Sequence, residues 1–249
     1  MPDLQHYRAR KSERDRTDDL LRVIPRNRGS VLDIGTRDGH FARALTQYFS
    51  QVTALDLQRP NFEIPGVQTT AGDVTKLEFP ANSFDCVFCS EVLEHIVDVE
   101  EACNEIIRVA KYEIIIGVPF KQDIRCGRTT CRSCGKVNPP WGHVNSFDEE
   151  RLSQLFSGLA IISKSFVGIT KEVTNPISAF LMDFAGNPWG TYDQDESCIY
   201  CGANLIFPGK RNAWQMVCSA AAVRLNRIQS LFTTSHGNWI HLVLSKGHE

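Results

Sequence analysis

The sequence lacks both a strong net charge and a long hydrophobic run. Its 249 residues include 27 lysines and arginines and 29 aspartates and glutamates, for a formal net charge of -2. This balance gives no general basic field for binding nucleic acid, although it leaves room for a local basic patch. No apolar run reaches the roughly 20 residues that span a bilayer, and the first residues are charged. We therefore expect no membrane span, no signal peptide and a cytoplasmic protein.

Disulfide bonds are also not expected, although cysteine is plentiful. An odd number of cysteines, nine, in a chain without an export signal indicates free thiols or metal ligands. Two Cys-x-x-Cys pairs have the spacing that lets both sulfurs face one ion: Cys131 with Cys134, and Cys198 with Cys201. Four thiolates complete a tetrahedral zinc site, so we expect a structural Zn²⁺ ion, with Cys126 or His143 as alternatives for one ligand.

A strand, a glycine turn and a helix organise the rest of the chain. Residues 31–34 form an apolar β-type run that carries Asp33, and Gly35 and Gly39 follow it. Such a turn brings backbone N–H groups close to a ligand at the helix N-terminus. Asp56 ends the next run about 20 residues further on, where an acid can bind a ribose. A nucleoside ligand is expected, and the absence of Gly-x-Gly-x-x-Gly argues against a dinucleotide.

Apolar runs alternate with helical patterns along the chain. This alternation predicts an α/β fold with a mostly parallel, doubly wound sheet. Further strands are expected at residues 67–73, 84–89, 112–118, 161–167 and 239–244.

Two segments interrupt this alternation. Residues 121–142 are rich in arginine, cysteine, glycine and proline, and the segment 169–237 separates the last two strand runs. We expect these two segments to form a lid that carries the zinc site, with helices at 176–185 and 212–231. The core is then expected to comprise residues 1–120, 143–168 and 238–249.

Four ordered motifs identify the family that the core resembles. Asp33-x-Gly35-x-x-x-Gly39, Asp56, Gly72-Asp73 and residues 84–95 resemble the class I S-adenosylmethionine-dependent methyltransferases, of the methyltransferase type 11 and 23 kind. The resemblance implies a Rossmann-like seven-stranded sheet and S-adenosylmethionine as cofactor. Family members often carry a third glycine where this chain has Arg37, which makes the conformation of the loop an open question.

The resemblance also implies roles for single residues. Asp33 would hold the loop or the methionine amino group, Asp56 both ribose hydroxyls, and Asp73 the adenine amino group. Further cofactor contacts are implied for Gly35, Thr36, Gly39, Leu57, Val74 and Ser90.

Glu91-x-x-Glu94-His95 is a second candidate site, expected on one side of a helical turn after the fourth strand. Three interpretations remain open. In the first, these residues line the cofactor pocket. In the second, His95 is the general base for an acceptor hydroxyl. In the third, the three residues bind Mg²⁺, Mn²⁺ or Zn²⁺ together with His143. The last interpretation rests on a similarity to the small-RNA 3′-terminal 2′-O-methyltransferases.

An oxygen acceptor is favoured by the acids and the histidine of this motif. Our first choice of acceptor is a small hydroxylated metabolite or a glycosyl group, and RNA 2′-O-methylation or protein methylation are the alternatives. Basic and aromatic residues of the two insertions would form either the acceptor surface or a plain solvated rim: Arg125, Arg128, Arg132, Lys136, Trp141, Trp189, Tyr192, Lys210, Arg211 and Trp214.

Overall fold

The structure, a computed structural model, describes residues 8–26, 28–193 and 197–247. They divide into two compact units. The core unit consists of Lys11–Phe120, Phe147–Gly168 and the segment from Gly237 onward, and the inserted unit of Lys121–Ser146 and Ile169–His236 with the described residues before Lys11. Residues 1–7, 27 and 248–249 of the predicted core, and 194–196 of the predicted lid, lie outside the described residues.

The core unit is a seven-stranded sheet with helices on both faces. Its strands are β1 Ser30–Ile34, β2 Gln51–Asp56, β3 Val67–Ala71, β4 Phe84–Ser90, β5 Ala110–Pro119, β8 Ala160–Val167 and β9 Trp239–Ser245. Its helices are α1 Lys11–Arg22, α2 His40–Leu45, α3 Val99–Val109 and α4 Glu149–Leu155.

The strand order is β3-β2-β1-β4-β5-β9-β8. The first five strands in this order are parallel, and β9 lies antiparallel between β5 and β8. The predicted doubly wound, mostly parallel seven-stranded sheet is therefore confirmed. Because parallel strands end at one edge, residues at the ends of β1, β2 and β4 meet there.

Side chains of the central strands are buried on both faces of the sheet. In β5, Ile114 and Ile116 pack into one hydrophobic cluster and Ile115 into the other. In β4, Cys89 belongs to the cluster of Ile114 and Ile116, and Cys86 belongs to the cluster of Ile115. Strands covered on both faces need continuous apolar runs, which is what the sequence provides there.

The inserted unit contains a short hairpin, β6 Thr129–Thr130 with β7 Val137–Asn138, and two helices, α5 Pro176–Phe184 and α6 Ala213–Ser230. A capping box starts α6, because the Asn212 side chain accepts from the Gln215 N–H at 2.9 Å and Gln215 accepts from the Asn212 N–H at 3.1 Å. Both helices lie close to their predicted spans. Within the described residues, every helix is too short or too polar to cross a bilayer.

The boundaries between the units differ from the predicted ones: Gly237 groups with the core unit, whereas residues 8–10 and 143–146 group with the inserted unit. His143 Nδ1 lies 2.6 Å from Gln122 Oε1, and the Ser146 hydroxyl donates to the Gln122 carbonyl at 2.7 Å. These bonds attach the segment to the start of the insertion.

Candidate active site and metal centre

The loop after β1 takes left-handed backbone conformations at three positions. Gly35 has φ 73°, Gly39 has φ 79°, and Arg37 between them has φ 52°. A Cβ at Gly35 would lie 2.2 Å from Val92 Cγ2, so only glycine fits there. Arg37 adopts the conformation that a glycine would take, at a cost of about 1 kcal/mol. The left-handed conformation at this position therefore does not require a third glycine.

Asp56, the last residue of β2, is held by the backbone on both carboxylate oxygens. Oδ2 accepts from the Arg37 N–H at 2.9 Å, and Oδ1 accepts from the Leu57 N–H at 2.8 Å. The first bond connects the end of β2 to the glycine loop. The carboxylate is thus fixed at the edge of the sheet, and each oxygen retains a further lone pair.

Asp33 lies beneath this loop with only 2% of its surface exposed. Within the described part of the chain, Asp33 Oδ2 and Thr36 Oγ1 are buried and have no hydrogen-bond partner beyond the interaction of these two side chains with each other. Burial, opposed by the hydrogen bond with Thr36 and assisted by the charge of Asp56, raises the pKa of Asp33 to about 7. Buried polar atoms with so few partners indicate that a polar or cationic ligand group belongs beside them.

The other predicted cofactor contacts occupy the same edge of the sheet. Asp73 follows β3 and accepts from the Thr75 N–H at 2.9 Å and the Thr75 hydroxyl at 2.8 Å through Oδ1. Val74 is buried and Leu57 is 70% exposed. Their contacts with a cofactor stay predictions.

A buried ionic network that the sequence did not predict joins α1 to the end of β4. Glu13 and Arg16 are both nearly inaccessible, and Arg16 Nη2 lies 2.9 Å from Glu13 Oε2. Arg16 Nη1 donates to Ser90 Oγ at 3.2 Å and lies 3.9 Å from Glu91 Oε1. The sequence indicates this network only through the spacing of Glu13 and Arg16, three residues apart in a polar helix. Pairs with this spacing usually lie on the solvent-exposed side of a helix.

The motif after β4 departs from the predicted helical turn. Glu91 has φ 59°, outside helical conformation, and the 3₁₀ turn covers only Leu93–His95. The prediction of one helical turn from Glu91 is therefore wrong. Left-handed backbone at a residue with a side chain is strained, and such strain concentrates at functional sites.

Glu94 is fully buried, and neither carboxylate oxygen has a hydrogen-bond partner among the described residues. Burial raises the pKa of Glu94 well above its ordinary value, and the nearby Glu91 adds to this effect. Burial likewise raises the pKa of Glu91, although Arg16 opposes the change. His95 follows in a half-buried position. A buried acid without a partner requires a proton, a cation or a ligand donor.

His143 belongs to the inserted unit, where its ring centroid lies 5.9 Å from that of Trp141. The predicted metal set of His143 with the three core residues stays a prediction.

The four cysteines predicted as zinc ligands come together in the inserted unit. Their sulfur atoms all lie within 4.8 Å of one another, and Cys126 is not in this group. The Sγ distances are 3.7 Å between Cys131 and Cys201 and 3.6 Å between Cys134 and Cys198. Zn–S bonds of about 2.3 Å in tetrahedral geometry place sulfurs about 3.8 Å apart. The spacing of the thiols therefore fits one zinc ion.

Each pair forms the same tight turn. The Gly135 N–H donates to the Cys131 carbonyl at 2.9 Å and the Gly202 N–H to the Cys198 carbonyl at 2.8 Å, with both glycines at positive φ. Backbone N–H groups of Cys134 and Ser133 lower the pKa of Cys131. Although burial opposes it, similar bonds lower the pKa of Cys198 to about 6. Although a bond from the Ala203 N–H lowers it, hydrogen bonding with the neighbouring cysteines, Cys134 first, raises the pKa of Cys201 to about 12. The turns thus favour thiolates, the form that binds metal, at Cys131 and Cys198.

Some of the residues considered for an acceptor surface are buried or paired with an acid, and others are exposed. Tyr192 is buried, and its hydroxyl accepts from the Thr130 N–H at 2.9 Å, so of the two alternatives packing is the one that fits this ring. Arg125 pairs with Asp123, and Arg128 pairs with Asp183. Trp189 and Trp214 are 70% and 74% exposed.

Comparisons with known proteins agree with the geometry of the core. Residues 32–114 match the family model described as a methyltransferase domain. The chain is 31% identical over 93 residues to the uncharacterized methyltransferase YcgJ of Bacillus subtilis. That match covers 33% of this chain and 37% of the relative, so the chain spans little more than a third of the relative that it matches.

Solved structures show the same fold at low sequence identity. The crystal structure of Bacillus YcgJ is 16% identical, with a TM-score of 0.56 over 95% of this chain and 99% of that one. A methyltransferase in complex with the Haloferax volcanii Trm112 methyltransferase activator is 14% identical, with a TM-score of 0.56 over 99% of this chain and 95% of that one. The N-methyltransferase NodS of Bradyrhizobium japonicum, in complex with S-adenosylhomocysteine, is 19% identical, with a TM-score of 0.51 over 67% of this chain and 85% of that one.

Proposed function

We propose that this chain is a class I S-adenosylmethionine-dependent methyltransferase, and that it methylates a hydroxyl oxygen of a small metabolite or glycosyl acceptor. The observation that carries the donor assignment is the row of carboxylates Asp33, Asp56 and Asp73 at the carboxyl edge of the sheet. Ligands of open α/β sheets bind at this edge.

The three carboxylates match the donor groups of the cofactor. Asp56, oriented by two backbone N–H groups, accepts hydrogen bonds from the ribose hydroxyls. Asp73 keeps Oδ2 for the adenine amino group, since Thr75 occupies Oδ1. Asp33 Oδ2 receives the methionine ammonium. S-adenosylmethionine supplies a methyl group on a sulfonium sulfur, and the protein contributes alignment and exclusion of water.

The affinity for S-adenosylmethionine is expected to depend on pH through Asp33. The raised pKa of about 7 means that the free protein carries a protonated Asp33 in acidic solution. Only the carboxylate attracts an ammonium group, so the affinity falls up to about tenfold per pH unit below that value. Titration calorimetry from acidic to neutral pH measures the slope.

Asp33→Asn is the control for this slope, because it removes the titrating group and keeps the shape. The variant is expected to bind weakly and with little dependence on pH in the same range. A wild-type affinity that stays constant with pH, or an equal slope in the variant, would contradict the role of Asp33.

At the acceptor, a hydroxyl must lose its proton as its oxygen is methylated. We assign His95 as the base that takes this proton, and Glu94 as the acid that orients His95 or the acceptor from the buried side. The full burial of Glu94, with neither carboxylate oxygen hydrogen-bonded in the described residues, supports a role in which it acts on a neighbouring group such as His95.

A second candidate is metal-assisted methylation of an RNA 2′-hydroxyl. The two buried Glu94 oxygens without partners also suit a divalent cation, with His95 and His143 as further ligands. In that case the metal, and not His95, would activate the hydroxyl.

Glu94→Gln distinguishes these mechanisms from each other and from a structural role. Turnover is expected to fall about 10²-fold or more, while the affinity for S-adenosylmethionine stays unchanged. Glu101→Gln, an exposed acid on α3, is the matched control and should retain full activity. Elemental analysis of protein purified without chelator or nickel completes the test. A second divalent ion that is lost in Glu94→Gln and His143→Ala would favour the RNA enzyme, and full turnover in Glu94→Gln would reject both.

For the inserted unit, we propose that Cys131, Cys134, Cys198 and Cys201 bind one structural zinc ion. The four-thiol donor set and the spacing of its sulfurs support this assignment. Zinc holds the turn at Cys131–Gly135 to the turn at Cys198–Gly202.

A further inference from the structure

The helices α5 and α6 pack against each other through small residues. The side chains that they bury are Ser178 and Ala179 on α5 and Ser219 and Ala222 on α6. Small residues allow two helix backbones to approach closely, as they do between helices in membranes.

Polar side chains complete the inner side of this pair. The Thr174 hydroxyl donates to Asn226 Oδ1 at 2.9 Å, and Asn175 Nδ2 donates to Gln229 Oε1 at 2.8 Å. These bonds connect the start of α5 to the last turns of α6. The inner side of the pair therefore needs little apolar surface to hold it together.

The outer side of the same pair is apolar. We call the following six residues the helix-pair surface; each is between 57% and 74% exposed: Ile177, Phe180, Phe184, Trp214, Val217 and Ile228. On α5 they repeat at three- and four-residue intervals, which forms a continuous stripe. A helix pair in water normally buries such stripes, so this surface requires an apolar partner.

The charges on the α6 part of the surface are of one sign, and Asp183 on α5 is paired with Arg128. Residues 197–247 contain no aspartate or glutamate, and α6 with its leading turn carries Lys210, Arg211, Arg224 and Arg227. Lys210, Arg224 and Arg227 are exposed, and across the described ranges none of the three pairs with a carboxylate. The partner therefore combines apolar material with negative charge.

We propose that the helix-pair surface docks on an anionic lipid bilayer. Tryptophan and phenylalanine would enter the boundary between headgroups and acyl chains, and arginine side chains would extend to the lipid phosphates. Docking of a second copy across a twofold axis would instead place one set of cations against an identical set. The surface is distinct from the site proposed for methyl transfer, and either assignment can fail alone.

Vesicle flotation with the full chain tests this proposal. The protein is expected to float with vesicles of phosphatidylcholine mixed with phosphatidylglycerol, and to bind vesicles of pure phosphatidylcholine much more weakly. Phe180→Ser with Ile228→Ser should weaken binding about tenfold or more by removing buried apolar area. Arg224→Gln with Arg227→Gln should weaken binding about fivefold per cation, and only where the vesicles are anionic.

Val97→Ser is the matched control, because Val97 is 79% exposed in the core unit. It should bind as the wild type does. The proposal is overturned if the wild type does not float with anionic vesicles, or if the surface variants float as well as the control. Sedimentation analysis in the absence of lipid tests whether a second copy of the chain occupies the surface. A wild-type dimer that becomes monomeric in the Phe180→Ser, Ile228→Ser variant would assign the surface to self-association and overturn the proposal.

Discussion

Replacement of Cys198 by serine is expected to release one equivalent of Zn²⁺ and to unfold the inserted unit. The buried cluster beneath the two turns consists of Cys131, Tyr192, Cys198 and Leu205, so half of its members are proposed zinc ligands. A core this small cannot support the fold without the metal. Structural zinc contributes about 10–16 kcal/mol in zinc-finger peptides, which exceeds the stability of most small domains.

Elemental analysis and thermal unfolding measure this effect together. The wild type should contain about one zinc, and Cys198→Ser should contain none and lose the transition of the inserted unit. Cys126→Ser is the control, because Cys126 lies in the same unit but outside the cluster. Wild-type protein without zinc, or a Cys198→Ser variant that keeps it, would reject the metal site.

The second large effect is expected at Asp56. Asp56→Ala should lower the affinity for S-adenosylmethionine by about 10²–10⁴-fold, because hydrogen bonds to a charged acceptor contribute about 1.5–3 kcal/mol each. The substitution also frees the N–H groups of Arg37 and Leu57 and loosens the glycine loop. Calorimetric titration with S-adenosylmethionine and with S-adenosylhomocysteine measures the loss.

Asp85→Ala separates a ligand effect from a stability effect. Asp85 also accepts two backbone bonds, from Gly29 at 2.7 Å and Ser30 at 3.1 Å, but at the opposite end of β1. Its loss should lower thermal stability by a similar amount and leave the affinity unchanged. If Asp56→Ala binds the cofactor as the wild type does, the cofactor assignment fails.

The sheet and the cysteine cluster could be predicted from the sequence because each depends on spacing. Apolar runs covered on both faces identify strands such as β5, and acids at strand ends fall on one edge in any parallel sheet. The two Cys-x-x-Cys pairs give the ligand number directly, and their meeting needs only that the two insertions be adjacent.

Other features depend on tertiary contacts that leave no local pattern. Arg37 takes a left-handed conformation because its N–H is held by Asp56, a residue on another strand. Glu13 and Arg16 become a buried network only because α1 lies over Ser90. In α6 a sequence pattern alone would place Trp214, Val217 and Ile228 inward, whereas the inner side of the helix carries the polar bonds of Asn226 and Gln229.

The position of β9 has a consequence for synthesis on the ribosome. This strand lies between β5 and β8, yet the chain must first produce all of Ile169–His236 before β9 emerges. Until then β5 and β8 have exposed strand edges, which are prone to aggregation. The inserted unit, whose segments are complete earlier, can fold and bind the proposed zinc ion during this interval. The sheet of the core unit is thus completed by β9, after the inserted unit has been made.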